Sequence, residues 1–131
     1  MAIKIVRLGS KRAKREGLRI GAVRYPPHGV PKDELASQDY YDVWFPNLSP
    51  TAALLKEVKE IFAASDEKGW LRFKKKFLAE MKVRAPRQDL ELLAALSHQT
   101  NMSLGCYCEH ESRCHRSILR DLLVQLGADV T

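Results

Sequence analysis

The sequence of 131 residues has no long apolar run and few cysteines, and both absences narrow the class of protein. No apolar stretch approaches the roughly 20 residues that a membrane-spanning helix needs, so we expect no membrane partner. The first residues, Met1 to Val6, lack the apolar segment and cleavage site of a secretory leader. The three cysteines are an odd number and lie close together, which argues against a disulfide framework. We therefore expect a cytoplasmic protein with reduced thiols.

Internal repeats, low-complexity tracts and linker-like segments are also missing, so the sequence predicts a single domain over residues 1–131. The hydrophobic fraction of 45% and the charged fraction of 29% are typical of a globular protein with a packed core.

Apolar segments alternate between strand and helix patterns, which predicts an α/β fold with a small, largely parallel sheet flanked by helices. Strands are predicted over 3–8, 18–23 and 102–108, with a less regular extended run over 40–45. Helices are predicted after Ser49-Pro50, after Asp66, at Pro86 and after Ser112. The expected buried faces of the first two helices are Leu54, Leu55, Val58, Ile61 and Phe62, and Trp70, Phe73, Phe77 and Met81.

The segment 104–120 carries most of the residues that are capable of chemistry. It holds all three cysteines, two of the four histidines and three arginines, and it runs from an apolar strand through a polar loop into a helix. Free N–H groups at the start of a helix favour a bound anion and lower the pKa of a nearby thiol.

Arg24 and Tyr25 follow the strand predicted at 18–23, and two prolines then end the strand. In a parallel sheet, the carboxyl ends of strands meet at one edge, where ligands bind. If the strands at 18–23 and 102–108 lie parallel and close, Arg24 meets the cysteine segment there.

These motifs resemble the domain of unknown function family 488, in particular its YeaO-like branch. The similar segments are Val23–Lys32, Leu48–Thr51, Phe73–Met81, and Cys106-Tyr-Cys-Glu109 with Cys114-His115-Arg116. The last pair is similar to the Cys-Glu and Cys-His-Arg signature of the wider family, whereas Tyr25 stands where the branch tends to have Leu-Trp. The resemblance implies a compact α/β fold and no established activity.

Thiol chemistry is the first of three hypotheses for this site. Cys114, in the first helical turn beside Arg113 and Arg116, is expected to have a depressed pKa and to be the most reactive thiol. His115 could act as acid or base, and Glu109 could orient an arginine or imidazole. Neither Cys-x-x-Cys nor a Cys-x₅-Arg loop is present, since Arg113 follows Cys108 after only four residues.

Metal binding is the second hypothesis. Cys106, Cys108, Cys114 and His115 offer three sulfur ligands and one imidazole for a zinc or iron ion. The Cys-x-Cys spacing departs from the usual zinc motifs, and adjacent residues such as Cys114 and His115 are hard to aim at one ion from a regular helix.

Recognition of an anionic small molecule is the third hypothesis, and it is compatible with both others. Arg24, Arg113, Arg116 and the helix N-terminus could hold a phosphate or carboxylate, with Tyr25 beside them. The structural alternative for all of these residues is ordinary packing, since free cysteines and aromatic residues are often simply buried.

A basic N-terminal region gives a further functional alternative, which is nucleic-acid binding. Residues 1–32 contain nine of the 22 Lys and Arg residues but only one of the 16 acidic ones. The densest part is Lys11, Arg12, Lys14 and Arg15, which the simpler interpretation places on a solvated turn between strands.

Overall fold

The computed structural model describes residues 2–62 and 67–131, with the backbone alone for residues 59–62. The strands are β1 (Ile3–Arg7), β2 (Leu18–Gly21), β3 (Val43–Trp44) and β4 (Met102–Cys106). The helices are α1 (Ala52–Phe62), α2 (Glu67–Met81), α3 (Arg84–Leu96) and α4 (His115–Gln125). None of the helices in the described ranges is both long and apolar enough to cross a membrane.

The four strands form one parallel sheet in the order β1-β4-β2-β3, which confirms the predicted α/β class. Strand β4 lies in the interior of the sheet, with Leu104 opposite Ile5 on one side and Ile20 on the other. Every residue of β4 is buried, as expected for the central strand of a parallel sheet. The carboxyl ends of β1, β4 and β2 therefore lie side by side at one edge.

The helices supply one main core against the sheet. Strand residues such as Ile5 and Leu104 share this core with the buried faces of the four helices. The face predicted for α2 is confirmed, since Trp70, Phe73, Phe77 and Met81 are all buried. This packing holds α4 against β4. The cysteine loop that joins them, residues 107–114, is therefore fixed at both ends.

The opposite side of the sheet is covered by connecting segments. Gly21 leaves room for the ring of Tyr41, which a Cβ on Gly21 would approach to 2.5 Å. Nearby, the buried guanidinium of Arg19 donates to both carboxylate oxygens of Glu16 at 2.7 and 2.9 Å. Glu16 also accepts a hydrogen bond from Ser103 at 2.7 Å, which ties the segment between β1 and β2 to β4.

Several element boundaries differ from the sequence predictions. The extended run at 40–45 contributes only the two residues of β3. Helix α1 begins after Thr51, whose hydroxyl accepts from the Leu54 N–H at 3.2 Å, rather than after Ser49. Ser112 is not the cap of α4, because a short 3₁₀ turn over Glu111–Arg113 precedes it and Cys114 takes the cap position. Asp66 and the side chains of Ile61 and Phe62 lie outside the described residues.

Candidate ligand and thiol site

A pocket of about 590 Å³ opens at the carboxyl edge of the sheet. Its lining comes from segments that are far apart in sequence, including Arg7 at the end of β1, Arg24 after β2, Cys106 at the end of β4 and Cys108 just beyond it. The parallel pairing of β1, β4 and β2 places these residues at one edge. The structure thus brings Arg24 together with the cysteine segment, as the sequence analysis expected.

The three cysteines form a compact cluster at and below the pocket. Cys108 is exposed, whereas Cys106 and Cys114 are buried. The sulfurs of Cys106 and Cys108 lie 3.8 Å apart, and the sulfur of Cys114 lies 3.8 Å from Nδ1 of His115. Ligand atoms of Cys106, Cys114 and His115 all lie within 4.8 Å of one another, which is close enough to hold a metal ion.

His115 is buried and held in one orientation. Its Nε2 lies 2.7 Å from the Ala22 carbonyl, which can only accept, so Nε2 carries the proton and Nδ1 has a free lone pair. The ring also packs edge-on against Phe77 at 5.4 Å. Burial lowers the pKa of His115, which favours the neutral imidazole.

The backbone at Cys114 explains how two adjacent side chains converge. Cys114 is extended, with φ −119° and ψ 148°, and His115 is the first residue of α4. The objection that a regular helix would separate them is therefore wrong, because the helix starts between them.

The cluster favours one thiolate, and its position differs from the sequence prediction. Hydrogen bonds with Cys106 and then Cys114 lower the pKa of Cys108, and the charge of Arg116 acts in the same direction. The same sulfur contacts and burial raise the pKa of Cys114. The predicted depressed pKa of Cys114 is therefore wrong, because its contacts with Cys106 and Cys108 and its burial favour the protonated form.

Two arginines of the pocket present guanidinium groups to it. Arg24 donates to the Pro50 and Ser49 carbonyls at 3.0 and 3.2 Å, and within the described residues Nη1 has no partner. Among the described residues, the Arg7 side chain makes a single long contact of 3.4 Å, from Nε to the Tyr107 carbonyl. Both side chains thus retain donors for an oxyanion.

Arg113 and Arg116 were both expected at the pocket, but neither side chain is part of its lining. Arg116 is buried and donates to the Cys108 carbonyl at 2.8 Å, which braces the loop. Its Nε is buried and has no hydrogen-bond partner among the described residues. Arg113 points away from the pocket, pairs with Glu67 at 2.6 Å and lies over the ring of Trp70.

Aromatic side chains form part of the pocket wall. Tyr25 is 60% exposed, and its carbonyl accepts a bond from the Tyr107 hydroxyl at 3.0 Å. Tyr107 also meets the edge of Tyr40, with 6.3 Å between ring centroids. Tyr107 therefore links the ring of Tyr40 to the backbone of Tyr25.

Sequence reasoning missed Arg7, Tyr40, Tyr107 and His28, which also line the pocket. Arg7 had a usable signal, since it ends a strand that a parallel sheet places beside β4. Tyr107 had no comparable signal, because β4 ends at Cys106 and strand alternation does not fix the direction of the side chain that follows.

Two other predicted groups lie outside the pocket. The side chain of Glu109 is exposed and is not part of the lining. Lys14 and Arg15 lie beside Ala2 and Met102, at the amino ends of β1 and β4. Arg12 pairs with Asp42 at 2.8 Å and Asp39 at 3.4 Å, so part of the basic region is neutralised within the chain.

The fold and site together define an α/β protein with a thiol and arginine pocket at the carboxyl edge of a parallel sheet. The family model described as the active DUF488-N3 subclade matches residues 3–127. The chain therefore belongs to domain of unknown function family 488, and the resemblance stated above is confirmed for the family. Comparison with curated proteins and with solved structures gives no match.

Proposed function

We propose that the protein binds an anionic small molecule in this pocket and that the sulfur of Cys108 attacks it. The observation that carries this proposal is the position of Cys108, the exposed thiol, on the same pocket lining as Arg7 and Arg24. The description of the matching subclade as active supports a functional site in this chain.

The residues around Cys108 have complementary roles in this proposal. Arg7 and Arg24 hold the anion, and Tyr25 packs against the bound molecule. Arg116 fixes the loop through the Cys108 carbonyl, and Arg120 fixes it further along by two bonds to Glu111 at 2.6 and 2.9 Å. Cys106 and Cys114 share hydrogen bonds with the Cys108 sulfur.

The chemical step is a two-stage group transfer. The Cys108 thiolate donates an electron pair to an electrophilic atom of the ligand, and the leaving group departs with its bonding pair. Water or another acceptor then displaces the sulfur and restores the thiolate. Cys114 was predicted from sequence as the nucleophile, but it is only 2% exposed. In this proposal it supports Cys108 through a hydrogen bond and does not attack the ligand itself.

Alkylation with iodoacetamide, followed by mass spectrometry of each cysteine, tests this assignment. We expect Cys108 to be labelled at least about tenfold faster than Cys114, and inorganic phosphate to slow the labelling. The matched variants are Cys108→Ser, which removes the fast site, and Cys114→Ser, which keeps it. Fast labelling at Cys114, or labelling that phosphate never slows, contradicts the proposal.

A metal centre is the second candidate, favoured by the convergence of Cys106, Cys114 and His115. Zinc–sulfur bonds of about 2.3 Å in a tetrahedral site place two sulfurs about 3.8 Å apart. The sulfurs of Cys106 and Cys108 have that separation, at 3.8 Å. The bond from His115 to Ala22 is the type of outer contact that orients a metal-binding imidazole.

Elemental analysis of protein purified without chelators separates the two candidates. A zinc or iron site predicts about one ion per chain, its loss in Cys106→Ser, and slow alkylation that a chelator accelerates. A nucleophilic Cys108 predicts no bound metal and alkylation that a chelator leaves unchanged.

A further inference from the structure

The aromatic wall of the pocket suggests which anion it takes. We infer that the ligand is a phosphate monoester that carries an aromatic ring, such as a nucleoside monophosphate or an aryl phosphate. This inference rests on the proposed anion-binding function and specifies its substrate class.

The size of the pocket excludes a free small anion as its full occupant. A volume of about 590 Å³ lies within the range of about 300–1,000 Å³ that is usual for organic ligands. Inorganic phosphate would occupy only the part near the arginines. The remaining space is bounded by Tyr25, Tyr40, Pro26 and Pro27, which suit an apolar or planar group.

The charge of the pocket fits a dianion better than a carboxylate. Arg7 and Arg24 are both on the lining, and each keeps guanidinium donors free of partners among the described residues. A phosphate monoester offers oxygens and charge to both groups, whereas one carboxylate would leave an arginine unmatched. Arg116 adds a further positive charge close to Cys108, where its bond to the Cys108 carbonyl at 2.8 Å holds it.

The ring contact is assigned to Tyr25 because its side chain is accessible and its backbone is fixed. The side chain is 60% exposed at the pocket, while the Tyr107 hydroxyl holds the Tyr25 carbonyl at 3.0 Å. A ring on a fixed segment can stack on a planar ligand with little loss of side-chain freedom.

Calorimetric titration with adenosine 5′-monophosphate, phenyl phosphate, ribose 5-phosphate and inorganic phosphate tests the inference. We expect at least one of the two ring-bearing esters to bind about tenfold or more tightly than ribose 5-phosphate. The ester that binds more tightly shows whether the ring sits directly beside the phosphate or beyond a sugar.

Substitution of Tyr25 supplies the matched control, since this exposed side chain is not part of the core. Tyr25→Ala should remove the advantage of the ring-bearing esters over ribose 5-phosphate, while Tyr25→Phe should retain that advantage. Equal binding of all four phosphates overturns the ring assignment but leaves the anion site standing. Binding of none of them overturns both this inference and the anion-binding proposal.

Discussion

The pair of Glu16 and Arg19 differs from the other described ion pairs because both side chains are almost fully buried, at 3% and 0% exposure. Removing one charge of a buried pair leaves the other without compensation, which costs about 3–5 kcal/mol. We therefore expect Glu16→Gln to lower the free energy of unfolding by that amount in urea denaturation. Glu67→Gln is the control, since its pair with Arg113 is exposed and should contribute no more than about 1 kcal/mol. Equal losses in the two variants would contradict the buried-pair argument.

The same carboxylate predicts a pH dependence of stability. Burial acts to raise the pKa of Glu16, but hydrogen bonds from Arg19, Ser103 and the Ala13 backbone outweigh it and lower the pKa to about 2 from its ordinary value of 4.5. A lowered folded-state pKa stabilises the protein fully above the unfolded value and loses that contribution as the pH falls through the folded value. The stability difference between the protein and Glu16→Gln should therefore shrink between about pH 4.5 and about pH 2. Urea midpoints measured across that window check the prediction, and a difference that stays constant contradicts it.

The sequence indicated which residues could meet at the candidate site, but not how their side chains would be arranged. Residue types and strand ends indicate where chemistry can occur, and the structure brings Arg24, Cys106 and Cys108 to one pocket. Which thiol is exposed depends on side-chain packing, and here Cys108 faces the pocket while Cys114 is buried. Likewise, Arg113 and Arg116 diverge because a 3₁₀ turn and then the first residues of α4 point them in different directions.

At the level of elements, the start of β2 depends on a glycine. Gly17 has φ +80°, and a Cβ there would lie 2.0 Å from the Asn101 carbonyl oxygen, just before β4. Gly29 has a similar φ of +77°, but a Cβ there meets nothing within 4 Å.

The two glycines form a matched pair for mutation. Both alanine variants bear the cost of a left-handed backbone, about 1–2 kcal/mol. Gly17→Ala should lose about 1–3 kcal/mol more than Gly29→Ala in chemical denaturation, because backbone atoms at Asn101 cannot move aside easily. Similar losses in the two variants would show that β2 and β4 tolerate a wider separation than the structure gives them.

The helices and the three main strands followed from hydrophobic periodicity, as the buried face of α2 illustrates. The ends of the helices could not be predicted in this way, because a few local contacts decide where a helix is capped. The α1 cap is Thr51, which also bonds Glu80 of α2 at 2.5 Å. That second contact is tertiary, and no pattern within residues 49–52 indicates it.

For the whole molecule, the two sheet ends separate the pocket from the basic region. The pocket lies beyond the carboxyl ends of the strands, whereas Lys14 and Arg15 lie near their amino ends. Sites that share no partners act independently. Replacing Lys11, Lys14 and Arg15 with glutamine should therefore leave phosphate binding in the pocket unchanged, as calorimetry can check. A several-fold loss of phosphate affinity in this variant would contradict the separation.

Nucleic-acid binding by the basic region stays a prediction that the same variant can test. If DNA or RNA binds there, the affinity should fall in the glutamine variant and decrease steeply with salt.

The strand order could not be derived from the sequence. β1 and β2 are consecutive in the chain, yet both pair with β4, which comes last. Sequence patterns report the face that each strand buries but not its neighbour, since that choice depends on how the three helices between β3 and β4 cross the sheet. The expectation that Arg24 meets the cysteines therefore depended on β2 lying next to β4, which the sequence alone could not establish.

The late arrival of the central strand also bears on synthesis. Ile3 pairs with Met102, so β1 has no partner on that side until the ribosome has made the segment Met102–Cys106. A nascent chain that ends before residue 102 has no strand to place between β1 and β2. It also lacks all three cysteines. The sheet edge that carries Arg7, Arg24 and the cysteines therefore forms only after β4 has been synthesised.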